Sequence, residues 1–241
     1  MRLGQRIGVV IPALDEERAI GRVIADIPAW VDQIIVADNG SRDATAAVAE
    51  AGGALVVREP ERGYGAACQK GIAALHEIDI VVFLDGDYSD HPQEMADLVD
   101  PILSGAADMV IGSRVTGHRA RGALTPQQRF GNWLACRLIA AFWGVRYTDL
   151  GPFRAIATPA LRALAMTDRN YGWTVEMQIK GAQKKLRALE VPVSYRPRIG
   201  MSKVSGTIKG TVLAGITILR VIGQLARRSQ RGAAADHRPT G

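Results

Sequence analysis

The sequence predicts an α/β fold, a mostly parallel sheet with helices on both faces. Two observations carry that expectation. Short uncharged, β-branched runs alternate with apolar residues at helical spacing through the first hundred residues, the pattern of strand–helix units in a parallel sheet. Polar clusters directly follow three of those runs, at Asp15–Glu16, Asp38–Asp43 and Asp85–Asp90. Ligands of such sheets bind beyond the carboxyl ends of the strands.

Taken in order, Ile7–Ile11 reads as a buried strand, and Glu16–Ile27 as a helix with Ile20, Val23, Ile24 and Ile27 on one face. Gln33–Ala37 and Ala54–Arg58 read as strands, with helices at Ala44–Ala51 and Gly65–His76. Ile80–Leu84 is a fourth strand that stops abruptly at Asp85, and Asp108–Ile111 is a fifth. Thr116–Gln128, rich in glycine and arginine, reads as a mobile loop. Helices are expected at Arg129–Trp143 and Pro159–Met166, and a late strand at Leu186–Val193. Ile208–Arg228 reads as an amphipathic helix that lies on a membrane surface or packs on the domain. Ser229–Gly241 has the composition of a disordered tail. One domain is expected over residues 1–228.

Apolar residues make up 47% of the 241 and charged residues 22%, ordinary for a globular domain of a size that can bury a sizeable core. No stretch has the ~18 uncharged apolar residues of a membrane span, and the amino terminus does not read as a signal peptide. Cys68 and Cys136 lack metal-ligand spacing, which fits two reduced thiols and a cytoplasmic setting. The net charge is +6, with arginine and lysine gathered in the second half. That gradient suits an anionic partner, either substrate phosphates or an anionic membrane face. Nucleic acid is disfavoured, because no recognised binding motif accompanies the charge.

The chemistry-bearing residues sit in the clusters. Asp85-Gly86-Asp87 places two carboxylates at a strand end, where both can face one hard cation such as Mg²⁺ or Mn²⁺. Asp38-Asn39-Gly40-Ser41-Arg42-Asp43 reads as a helix-capping turn whose carboxylate could also accept from a base or ribose. In Arg62-Gly63-Tyr64-Gly65-Ala66-Ala67 the glycines would let backbone amides approach an anion. A dinucleotide-binding oxidoreductase would need glycines in the first strand–helix turn. That turn is Pro12-Ala13-Leu14-Asp15-Glu16, without glycine and with two carboxylates that would repel a pyrophosphate.

Together these stretches resemble family-2 glycosyltransferases of the GT-A fold, close to the polyprenyl-phosphate (dolichyl-phosphate) mannosyl- and glucosyltransferases. The similarity also takes in Val9-Val10-Ile11-Pro12, Pro92 and Glu94, Gly112-Ser113-Arg114, Asp149-Leu150-Gly151-Pro152-Phe153-Arg154 and Glu190-Val191-Pro192-Val193, then Arg198, Gly200 and Ser202-Lys203. The resemblance implies a nucleotide-sugar donor, bound by Pro12, Ala13, Leu14, Asp15, Glu16, Asp38, Gly65, Asp85 and Gly86. It implies Asp85 and Asp87 at the metal-bound diphosphate, with Ser89 at the third metal position, where many relatives have glutamine. Arg114 and Arg129 match arginines that meet an acceptor phosphate. Arg198, Ser202 and Lys203 match a mobile segment that closes over phosphates.

The implied reaction is one inverting displacement at the anomeric carbon, with metal and basic groups stabilising the departing nucleoside diphosphate. A polyprenyl-phosphate acceptor is already ionised; a hydroxyl acceptor would need a base. Asp149 and Glu176 are the base candidates by position, against structural readings of Asp149 as a turn residue and of Glu176 as a buried or surface partner to an arginine. Trp173 and Tyr171 are either a platform for sugar or lipid, or core. His91 is a candidate metal contact or an ordinary turn residue. Three functions remain open: hexosyl transfer to a polyprenyl phosphate at a membrane face, transfer to a saccharide or other hydroxyl, and a non-catalytic nucleotide-sugar-binding scaffold.

Overall fold

The computed structural model describes residues 1–200 and 215–227. Its strands and helices alternate as β1 (Ile7–Ala13), α1 (Ile20–Ala25), β2 (Gln33–Asp38), α2 (Thr45–Ala51), β3 (Leu55–Arg58), α3 (Tyr64–Ala73) and β4 (Ile80–Phe83). Then come α4 (Met95–Leu103), β5 (Met109–Ser113), α5 (Pro126–Trp143), β6 (Arg154–Ala157), α6 (Thr158–Leu164), α7 (Trp173–Gln183) and β7 (Ala188–Pro192). Residues 215–227 are also helical.

The strands form one sheet in the order β3-β2-β1-β4-β6-β5-β7. Among these strands only β6 runs against its neighbours; the other pairings are parallel. Alternate side chains of the central strands serve opposite faces. Val9, Ile11, Val82 and Leu84 join a core with Ile20 of α1 and Leu98 of α4. Val10, Val81, Phe83 and Ile111 join the other core, with Ile139 of α5 and Ile179 of α7. Burial on both faces explains why the central strands read as unbroken apolar runs.

Several expectations change. Glu16–Ile27 yields a shorter helix, because Asp15 takes a positive φ of 53° and the Glu16 N–H donates to Thr45 Oγ1 (2.7 Å), holding the chain in a turn. The predicted loop 116–128 ends early. Thr125 and Gln128 form a reciprocal capping box with Pro126 at the first helical position, so α5 starts there. No element was expected at α4, α7 or β6. In α4, Met95, Leu98, Val99 and Ile102 recur at helical spacing and are buried. β6 has four residues and opens on a buried arginine, too short and too polar at its start to show a strand period.

The helix at 215–227 packs on the domain through Ile222, Leu225 and Ala226; burying Ile222 and Leu225 contributes about 2 kcal/mol each. Ile216 and Leu219 stay exposed on its other side. Among the described residues no helix is long and apolar enough to cross a membrane. The tail expected from Ser229 onward lies outside the described residues.

The pairings set one sheet edge. Ala13 pairs with Asp38, Phe83 pairs with Arg154, and Arg154 pairs with Ile111. The carboxyl ends of β1, β2, β4, β5 and β7 therefore open on the same side, and β6 contributes its first residue there.

Candidate active site

Two joined cavities open at that edge. One, of about 360 Å³, has Pro12, Ala13, Leu14, Glu16 and Gly86 on one side and Arg62, Asn170 and Tyr171 on the other. The second, of about 870 Å³, runs from Arg114 and Tyr195 to Leu124, Phe130, Leu134, Ile218 and Leu219. Tyr64, Asp85, Asp87, Tyr171 and Arg198 border both.

Asp85 and Asp87 follow β4. Burial, then the negative charge of Asp87, pushes the Asp85 carboxyl up to about 6; the Tyr64 hydroxyl (3.1 Å) and the charges of Arg198 and Arg114 pull the other way. Asp87 is fixed on both oxygens. Oδ1 accepts from Ser89 N–H (2.9 Å) and the Ser89 hydroxyl, and Oδ2 is 3.2 Å from Arg198 Nη1. Asp90 stands close by. Its Oδ2 accepts from Asp85 N–H (3.2 Å), its Oδ1 has no hydrogen-bond partner, and burial plus Asp85 and Asp87 push its carboxyl well above the usual range.

Arg114 borders the larger cavity and is clamped by Asp149, with Nε to Oδ2 at 2.8 Å and Nη2 to Oδ1 at 2.7 Å. Its guanidinium also lies 5.0 Å from the Tyr195 ring centroid. Burial alone would lower the Arg114 pKa, but the charge and hydrogen bonds of Asp149 raise it. Both Asp149 oxygens face Arg114, so Asp149 orients a cation and is not placed as a base. Glu176 lines neither of the two cavities. It accepts from Thr167 and Asp168 and pairs with Lys180 (2.8 Å), bordering a separate small cavity behind the site. Its expected arginine partner is thus a lysine.

Other expected site residues separate in the same way. Ser89 is buried and its hydroxyl already donates to Asp87, so it positions that carboxylate; it does not border either cavity. Asp15 points to the neighbouring loop, accepting from Arg42 N–H (2.7 Å), and Asp38 accepts from Ser41 N–H (3.0 Å). Arg129 is exposed on α5 outside the cavity lining, although Gln128 and Phe130 on either side line it. Gly65 does not offer its amide to an anion. Its N–H donates to Asn170 O (3.2 Å) and that of Ala66 to Arg169 O (2.9 Å). A Cβ on Gly65 would stand 2.1 Å from Asp168 O, so this glycine is required by the close passage of the 168–170 chain. His91 lies outside both cavities, Trp173 is core packed edge-on to Phe83, and Tyr171 borders both cavities. Ser202 and Lys203 lie outside the described residues.

Sequence reasoning assigned no role to Tyr64, Tyr195, Asn170 or the apolar wall. Tyr64 sits in the quoted glycine stretch and was findable there. Asn170 and Tyr171 reach the site only because their loop crosses the start of α3.

The donor set fits a hard divalent cation. The half-buried Asp85 and the buried Asp87 stand two residues apart at the cavity border, the charge of Asp87 helps to raise the Asp85 carboxyl, and a guanidinium already stands at Asp87 as a cation. Two carboxylates do not complete a coordination sphere, and among the described residues no cluster of three or more acidic, histidine or cysteine ligands exists. Such a site suits an ion that takes its remaining ligands from substrate phosphates and water. Bound there, the ion would supply charge neutralisation to a diphosphate.

Comparison with known proteins agrees with this geometry. Residues 8–158 match the model of glycosyl transferase family 2. An uncharacterized glycosyltransferase of Mycobacterium tuberculosis is 35% identical over 227 residues, 91% of this chain and 99% of that one. The dolichyl-phosphate hexose transferase of Haloferax volcanii is 31% identical over 220 residues, 89% of this chain and 93% of its own. Among solved structures, glucosyl-3-phosphoglycerate synthase from M. tuberculosis, in complex with Mn²⁺, UDP-glucose and phosphoglyceric acid, superposes with a TM-score of 0.75 at 27% identity. That match covers 92% of this chain and 80% of the other. The mostly parallel sheet is the GT-A fold of these neighbours. The carboxylate pair at the sheet edge therefore sits in an enzyme whose lineage is settled: the chain belongs to glycosyl transferase family 2.

Proposed function

We propose that this glycosyltransferase moves a hexose from a UDP- or GDP-linked donor to a polyprenyl phosphate, with inversion and with Mn²⁺ or Mg²⁺ at Asp85 and Asp87. The smaller cavity takes the nucleotide, and the larger takes the acceptor. One observation carries the choice of acceptor: the larger cavity joins a cationic end at Arg114 to an apolar wall of Leu124, Phe130, Leu134, Ile218 and Leu219. That is the polarity of a phosphate with a hydrocarbon tail. A phosphoglycerate acceptor, as in the structural neighbour, would leave that wall without a counterpart.

The locked state of both candidate bases supports the same reading. Asp149 and Glu176 are committed to Arg114 and Lys180, and a phosphate monoester needs no base because it arrives ionised. One acceptor phosphate oxygen forms a bond to the anomeric carbon as the bond to the donor's diphosphate oxygen breaks. Arg114 neutralises the acceptor phosphate, and Arg198 is within reach of the diphosphate side. Arginine forks match phosphate oxygens at both places.

The test is a transfer assay with UDP- and GDP-hexoses, Mn²⁺, and either a polyprenyl phosphate or phosphoglyceric acid. Lipid-linked hexose is the expected product. Asp87→Ala should lower its rate by about 100-fold or more while leaving the fold intact by circular dichroism. Product from phosphoglyceric acid alone would replace the lipid acceptor, and donor binding without transfer to either acceptor would favour a non-catalytic scaffold.

A further inference from the structure

Arg198 touches both Asp87 and Glu16 at the border of the two cavities. Its Nη1 lies 3.2 Å from Asp87 Oδ2 and its Nη2 2.7 Å from Glu16 Oε1, while its buried Nε has no hydrogen-bond partner. The backbone on either side is fastened to the same acidic turn. Ile199 N–H donates to Asp87 O (2.9 Å), Arg196 N–H donates to Ser89 O (3.0 Å), and the Arg196 guanidinium stacks 3.3 Å from the Tyr88 ring centroid. The guanidinium is thus delivered to Asp87 by a segment zipped along residues 87–90, and its placement does not depend on a long free side chain finding an anion.

That contact has a consequence for cation binding. A divalent ion that takes Asp87 Oδ2 must displace the guanidinium from it, because two cations cannot share that oxygen at contact distance without strong repulsion. Once displaced, the guanidinium needs another anion, since a partly buried charge left unpaired is costly. Glu16 alone keeps one of its two prongs. A diphosphate arriving beside Asp87 offers oxygens matched to the whole fork.

We propose that Arg198 is an exchangeable counter-ion of Asp87, so that the divalent ion binds weakly by itself and strongly together with a nucleoside diphosphate that accepts the released guanidinium. The exchange makes metal and nucleotide mutually reinforcing ligands, and reciprocity requires each to tighten the other by the same factor. It rests on the donor-site reading above, and it adds an order to the events there: the bare ion is held off until its diphosphate is present.

The experiment titrates Mn²⁺ alone, then Mn²⁺ with UDP or GDP, into the full chain, reading free Mn²⁺ by electron paramagnetic resonance. Wild type, Arg198→Ala and Arg198→Lys are compared. In Arg198→Ala, Mn²⁺ alone should bind about tenfold more tightly than in wild type, within the usual span of coupling between sites, and added nucleotide should tighten it far less. Arg198→Lys keeps the charge but loses the fork, and should fall between the two. If Arg198→Ala does not fold, the Lys variant decides by the same comparison. An unchanged or weaker affinity for Mn²⁺ alone in the folded variants overturns the exchange and leaves Arg198 a simple phosphate ligand. If wild type with Mn²⁺ binds neither UDP nor GDP, the donor-site reading fails instead, and the Mn²⁺-alone comparison still settles the exchange.

Discussion

Arginines organise this site because each one that is buried must find oxygens. Arg154 opens β6 with no exposure, and its guanidinium is satisfied by the carbonyls of Leu150, Gly151 and Thr174. Burial lowers its pKa to about 10 in spite of Tyr64 and Asp149 nearby. Arg114 instead takes a carboxylate, and Asp149 has no exposure. Breaking a buried pair from one side leaves the other charge stranded, typically at a cost of about 3–5 kcal/mol. Asp149→Asn should therefore lower unfolding free energy by about that much in urea denaturation. A change below about 1 kcal/mol would mean that Arg114 keeps a sufficient set of partners without the charge.

At the scale of elements, the site depends on loops pinned from behind. Asn39, just past β2, donates to the carbonyls of Glu59 (3.1 Å) and Glu61 (2.7 Å) and accepts from Gly63 N–H (2.8 Å), which fixes the approach to α3. Glu176 of α7 does the same for residues 167–168, and so holds the chain that brings Asn170 and Tyr171 to the cavities. Burial alone would raise the Glu176 carboxyl, but the Lys180 and Thr167 side chains and two backbone amides together lower it. Because the folded value lies below the ordinary 4.5, the stabilisation is complete above pH 4.5 and is lost as pH falls through the lowered value. Glu176→Gln should thus destabilise the protein by about 2–3 kcal/mol near neutral pH. That gap should close on acidification in paired melts at pH 7 and pH 3; a gap independent of pH would mean the charge is not what stabilises the loop.

Across the whole molecule, two of the large apolar side chains left in solvent, Phe130 and Leu219, line the larger cavity. Phe130 is 62% exposed and Trp133 54%, with their rings 5.8 Å apart on α5, and Leu219, on the helix at 215–227, is exposed and lines the same cavity as Phe130. Arg137 lies 6.0 Å from the Trp133 ring centroid. An apolar patch with arginine beside it suits an anionic bilayer surface, and such a surface is where a polyprenyl phosphate would be met. The helix at 215–227 holds to the domain by one side and offers Ile216 and Leu219 by the other, so packing and membrane contact are compatible uses of it. Replacing Phe130 and Trp133 together by serine should lower binding to vesicles containing anionic lipid by about tenfold or more. The cost to stability should stay within about 0.5 kcal/mol per site, as for other exposed positions. Unchanged vesicle binding would remove α5 from any membrane-facing role.

The amino-acid sequence by itself determined the sheet edge on which the candidate site would lie. Short β-branched runs bounded by turn residues read as strands, and parallel strands place the residues that follow them on one edge; Asp85 and Asp87 were legible for that reason, as were Pro12 and Leu14. It also carried the family, through short motifs in fixed order. What those residues touch was decided by tertiary structure. Asp149 and Glu176 have the chemistry of bases, yet Asp149 is consumed by Arg114 at another strand end and Glu176 by the 167–168 backbone beside its helical neighbour Lys180; the partner of Ser89, Asp87, was only two residues away. The same holds for Arg198 at Asp87 and for the crossing of Asn170 over Gly65, which join segments remote in sequence. Local pattern records the period of an element and the residues at its end. It carries no record of which distant side chain will satisfy a buried charge, because that choice is made only when the sheet has brought the strand ends together.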